Sequence, residues 1–175
     1  MKEDIKFWRY SIPPVDRIEG WGIFILDSTG MFAAVTDYGN YAYMWDHYGK
    51  RDFREFVAGL AKSPYYILEK IAIKEYSGDK TIKRIKEDIL DCRRDGSYSK
   101  EFARKEWDLI KDIGDMDNVY GFKEWYDRTH IQDTAEFYGE DWKPCAKAFA
   151  TKLMPRLAEV LKVELAKEAM IQEAS

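Results

Sequence analysis

The chain is short of the residues on which most enzymes are built. It has two histidines, His47 and His130, and two cysteines, Cys92 and Cys145, among 175 residues. No CxxC and no Cys/His cluster is present, which argues against a zinc site. Two isolated cysteines on helical segments are expected to be reduced thiols in a cytoplasmic protein. The sequence contains no G-x-S-x-G, no Walker-type loop and no Gly-rich dinucleotide fingerprint. No stretch approaches the ~20 apolar residues of a membrane span. The N-terminus, MKEDIKFWRY, lacks the apolar core of a secretory signal, so a cytoplasmic location with no membrane contact is expected. A net charge of -4 and a pI near 5.4 argue against nucleic-acid binding driven by bulk charge.

What the chain does have is aromatic side chains, 15% of the total. Many fall in Gly20 to Tyr48, which reads as three short strands. Trp21 to Leu26 is aromatic and β-branched. Ser28-Thr29-Gly30 turns into Met31 to Thr36, and Asp37-Tyr38-Gly39-Asn40 turns into Tyr41 to Trp45. Links this short force antiparallel pairing. Upstream, Ile5 to Ile12 reads as an edge or joining strand that stops at Pro13-Pro14. Along the last strand Tyr41, Tyr43 and Trp45 share one face, and Ala42 and Met44 the other. Neither face is plainly polar. Helices are expected to cover both, with a partner surface on one face as the alternative.

After Gly49 the apolar period becomes helical. Asp52 is placed to cap a helix bearing Phe53, Phe56, Val57 and Leu60, and Ser63-Pro64 opens a second with Ile67, Leu68 and Ile71. Asp79 is expected to cap a third helix, with Ile82, Ile85, Ile89 and Leu90 inward. Ser99 opens a fourth with Phe102, Ala103, Trp107 and Ile110. Gly121 to Arg128 and Ile131 to Tyr138 read as short helices. A last helix spans Trp142 to Met170, buries Ala146, Phe149, Ala150, Leu153, Leu157, Val160, Leu161 and Leu165, and kinks at Pro155. The fold class is therefore α+β, an N-terminal antiparallel meander of three or four strands packed by several helices. One domain over 1–175 is expected, with its sheet part in 1–48 and its helical part in 49–175. The mixed charges of Lys74 to Asp112 read as a solvated helix face, with a polar partner surface as the alternative.

Chemistry is harder to find. Asp46 and His47 point to opposite faces of a strand, which argues against a catalytic pair. His130 lies in Arg128-Thr129-His130-Ile131. Structural or solvent-exposed roles are expected for both histidines, and no catalytic residue, metal or cofactor is assigned. Two readings of the turn at Asp37 to Tyr41 stand side by side, core packing and a partner-binding rim. The rim would comprise Tyr38, Asn40, Tyr41, Tyr43, Trp45, His47, Tyr48 and Arg51, since tyrosine offers area and a polar tip at little entropic cost. Bases could stack on these rings, but Lys50, Arg51 and Arg54 are diluted by Asp46, Asp52 and Glu55.

Taken in order, Tyr10-Ser11-Ile12-Pro13-Pro14, Gly20-Trp21-Gly22, Asp37-Tyr38-Gly39-Asn40-Tyr41 with Trp45, and Asp52-Phe53-Arg54-Glu55-Phe56 resemble a family of small phage and prophage proteins. Trp125, Thr129, Ile131-Gln132-Asp133, Ala148-Phe149-Ala150 and Met154-Pro155-Arg156-Leu157 extend the resemblance over most of the chain, the middle helices least. That family brings no catalytic residues with it. The resemblance implies a non-enzymatic protein that binds a host protein, such as a defence nuclease complex, and inhibits or redirects it as an anti-CRISPR or other anti-defence factor. The alternatives are a nucleic-acid or nucleotide module using the aromatic strand face, and a hydrolase with His47 or His130 as general base.

Overall fold

A computed structural model describes residues 4–49 and 52–174. In chain order its elements are β1 (Phe7–Ile12), β2 (Gly22–Asp27), β3 (Met31–Thr36), β4 (Gly39–Met44), α1 (Phe53–Leu60), α2 (Pro64–Ile71), β5 (Lys74–Tyr76), α3 (Gly78–Arg94), α4 (Lys100–Asp112), α5 (Val119–Arg128), β6 (Glu140–Trp142), α6 (Pro144–Ala148) and α7 (Met154–Glu173). The class is α+β. The contacts gather into two compact units, one of residues 1–73 with 142–175 and one of residues 74–141.

The first unit holds a four-stranded antiparallel meander in the order β1-β2-β3-β4. Gly30 makes the β2–β3 turn possible. Its φ is +100°, and a Cβ there would lie 2.1 Å from the Trp45 carbonyl oxygen. One sheet face is packed. Phe24, Leu26, Phe32, Ala34, Tyr10 and Ile12 are buried on it, against Phe53 and Val57 of α1, Ile67 and Leu68 of α2, and Phe149, Leu153 and Leu157 near the C-terminus. The ring of Phe149 stands 4.3 Å from Tyr41 and within 6.4 Å of Phe24 and Phe32. The other face is open, so the expectation of helices on both faces is corrected. Ile25, Val35 and Met44 are each 40–52% exposed.

Helix starts follow the sequence where a short polar side chain meets the first turn. Asp52 accepts from Arg54 N, and Ser99 from Phe102 N. At α3 the cap is Ser77, which accepts from Lys80 N, and Asp79 sits in the first turn instead. Ser63 makes no side-chain cap bond. Leu90 is exposed rather than inward.

The expected helix from Trp142 to Met170 is broken. Glu140–Trp142 is a strand paired in a two-stranded ribbon with β5, and α6 follows from Pro144. Residues 149–153 are then π-helical, with Met154 N–H donating to Phe149 C=O. Pro155 causes this. Its ring would collide with the carbonyl of Thr151 in a regular helix, and a wider turn moves that carbonyl aside. Thr151 Oγ1 donates to Lys147 C=O at 2.7 Å, taking up an acceptor near the irregular turn. The buried stripe holds from Ala146 through Leu161, but Val160 is exposed and Met154 and Ala158 join it.

The second unit packs Ile85 and Ile89 of α3, Ala103 and Ile110 of α4, and Phe122 and Trp125 of α5 around one core, with Met116 and Ile131. The segment expected as a helix over Ile131 to Tyr138 forms only a 3-10 turn, Thr134–Phe137. Asp133, at φ 53°, makes no side-chain cap bond there. Among the described residues no helix is long and apolar enough to cross a membrane.

Candidate functional site

The residues of the expected rim separate by side of the sheet. Strand alternation turns Tyr41, Tyr43 and Trp45 toward the packed face. Trp45 is 5% exposed, donates from Nε1 to Tyr66 Oη, and lies beside Phe32, Tyr43, Phe53 and Phe56. Tyr48 packs on Phe53 and Phe56 and donates to Ser28 C=O. Tyr38 is buried and donates to Glu19 Oε1, while Tyr41 donates to the Tyr38 carbonyl at 2.7 Å. Burial, with Cys145 nearby, pushes the Tyr41 phenol up to about 12. These rings fill the core and its margin. Asn40 and His47 are exposed. Arg51 lies outside the described residues, as does Lys50.

Asn40 belongs to the open face, and the register shows what that face is made of. Ser11, Ile23, Val35 and Asn40 form one row across the four strands. Arg9, Ile25, Ala33 and Ala42 form the next. Met31 lies opposite Met44 at one end, and Phe7 is 65% exposed on β1. The face is largely aliphatic: Arg9 is the charged side chain of those two rows, and Asp27, opposite Phe7 in the end row, is buried. A shallow depression of about 290 Å³ is lined by Ile23, Ile25, Ala33, Val35, Asn40 and Ala42, among others. The alternation that carries the signal was in the sequence.

A polar cluster that the sequence did not disclose fixes this unit's helices. The Arg54 side chain is 5% exposed and forks between Asp52 on one side and Glu164 and Glu168 on the other, at 2.6–2.8 Å. Its guanidinium also lies 4.8 Å from the Trp8 ring. Hydrogen bonds to Glu168 and Asp52 raise the guanidinium pKa still further, and the same contact holds the Glu168 carboxyl below its ordinary value. All three guanidinium nitrogens and both oxygens of Asp52 and of Glu168 are engaged, which suits a clamp rather than a reaction.

In the second unit His130 meets a carboxylate. Glu106 is fully buried and accepts from Thr129 Oγ1 at 2.7 Å and from His130 N at 3.2 Å, with His130 Nδ1 3.4 Å away. A carboxylate that orients an imidazole is the arrangement of a general base. The Thr129 hydroxyl is committed to Glu106, and the pair also closes the end of α5. His47 belongs to the other unit, so the two imidazoles are not gathered in one unit.

Residues 3–163 match the model of a phage family. No curated protein and no solved structure matches the chain.

Proposed function

This chain belongs to a phage family, and from that premise we propose that it is a phage-encoded binding protein, not an enzyme, that seats the open aliphatic face of its sheet on a host protein. One observation carries the reading. Ile25, Val35 and Met44 stand exposed beside Ile23, Ala33 and Ala42 on a regular sheet. A contiguous apolar patch on a protein surface marks an interaction site more often than scattered exposed residues do. Binding there would inhibit or redirect the host protein in the host cytoplasm, and a defence nuclease complex is the class of target that phage origin favours. Stacking of bases on Tyr41, Tyr43 and Trp45 would first have to displace the protein's own helices.

The test is paired capture from host lysate with the wild-type chain and Val35→Lys. Val35 is 52% exposed, so the lysine leaves the fold intact. Recovery of the host protein falls about tenfold in the variant, as expected when a charge is buried at an interface centre. Equal recovery by the two chains contradicts the reading. A second reading, a hydrolase using His130 as general base, rests on the Glu106 contact. Under it His130→Ala abolishes the phage phenotype, whereas the binding reading leaves the phenotype in place.

A further inference from the structure

We infer that the groove between α3 and α4 is a second docking site, built for an acidic amphipathic helix. It lies in the unit of residues 74–141 and is independent of the sheet face proposed above. Lys86 Nζ sits 5.4 Å from the Trp107 ring, and Arg93 and Lys100 line the same groove. The short link of residues 95–99, with Lys86 of α3 meeting Trp107 of α4, makes the two helices an antiparallel hairpin. Two antiparallel helices leave a trough along their seam, and a third helix is the element whose ridges fit it.

The floor and rim differ in kind. Ala103 and Ile89 form a buried apolar floor, and Leu90, 43% exposed, stands over it beside half-buried Trp107. The charged residues lining the groove are Arg93, Lys100 and Arg104, and no carboxylate lines it. Arg104 is shared with Asp108 at 3.0 Å. Arg93 and Lys100 have no ion-pair partner among the described residues. This basic strip occurs in a unit whose carboxylates outnumber its basic side chains, so bulk charge does not account for it. Complementarity therefore selects a partner with apolar residues at i, i+3 or i+4, and i+7, flanked by Asp or Glu. The groove is open and about 310 Å³, the low end for enclosed ligand sites, which suits two or three side chains of a docked segment.

The experiment uses the full chain and fluorescent helical peptides of roughly four turns. One carries a leucine stripe flanked by glutamate, a second has lysine in place of each glutamate, and a third scrambles the first. A single-stranded oligothymidine serves as the nucleic-acid probe. Anisotropy gives affinity, and the amide shifts of Ala103 and the indole shift of Trp107 report the site. The glutamate peptide binds about tenfold or more tighter than the lysine and scrambled peptides. Arg93→Glu combined with Lys100→Glu, both at exposed positions, reverses the preference so that the lysine peptide binds better. Equal affinities on the wild type, no reversal, no peptide binding, or oligothymidine binding that the double variant abolishes would each overturn the inference. Val35→Lys leaves peptide binding unchanged, so the outcome is separable from that of the sheet face.

Discussion

Asp27 ends β2 as a 5% exposed carboxylate whose Oδ1 accepts from Thr29 N, Thr29 Oγ1 and Met31 N at 2.6–3.1 Å. Burial pushes its carboxyl up, but these donors together outweigh burial and hold it below the ordinary value. Because the folded pKa is depressed, the unfolded chain binds the proton more readily. The stabilisation is present above the unfolded value of about 3.9 and is lost as pH falls through the folded value. Asp27→Asn is neutral throughout and keeps one acceptor. It is expected to lower stability at pH 7 by about 1–2 kcal/mol, and the gap to the wild type narrows below about pH 4. Urea midpoints at pH 7, 4 and 3 measure this, and a gap that stays constant would show that Asp27 does not titrate as described. An aspartate two residues before a turn threonine is a readable signal for such a side-chain turn. What could not be read is that the carboxylate is buried, because that depends on what packs over the turn.

At the scale of elements, α1 and α7 are joined through Arg54. Removing the guanidinium takes from Asp52, Glu164 and Glu168 the ion-pair partner they share, leaving Lys6 as a more distant counter-charge to Asp52 and Glu168. Arg54→Ala is expected to cost about 2–4 kcal/mol, and Arg54→Lys recovers only part, since a single ammonium cannot reproduce the planar fork. Denaturant unfolding of the two variants measures the order. Equal stability of Arg54→Lys and wild type would mean that charge alone suffices. The cap at Asp52 was legible because it is a local rule. The link from Arg54 to Glu164 and Glu168 was not, because the partners are more than a hundred residues away in sequence. Ser77 and Asp79 were both eligible to cap α3, and periodicity could not choose between them. Pro155 announced a disturbance correctly, but whether a helix kinks or widens depends on the packing of Phe149 and Leu153 beneath it.

At the scale of the whole molecule, alternation and turn chemistry were enough to read the meander and its antiparallel order from Phe7 to Met44. The side that stays open was not legible, since both faces are apolar and only the packing of α1, α2 and the segment around Phe149 decides between them. The division into two units was not legible either, because the mixed charges that begin at Lys74 fit a solvated helix face as well as a new unit, and no linker falls near 141. The short strands β5 and β6 have three residues each and carry no periodic signal. With the aromatic face occupied, the aliphatic face is the surface on which the proposed activity depends.

The most direct measurement is photo-crosslinking in infected host cells from a benzoylphenylalanine placed at position 35, with position 163 on α7 as an equally exposed control. A discrete adduct with one host protein from position 35, and none from position 163, is the predicted result. The same adducts from both positions, or an adduct at 35 with a second copy of the chain alone, would contradict a sheet face made to hold a host protein.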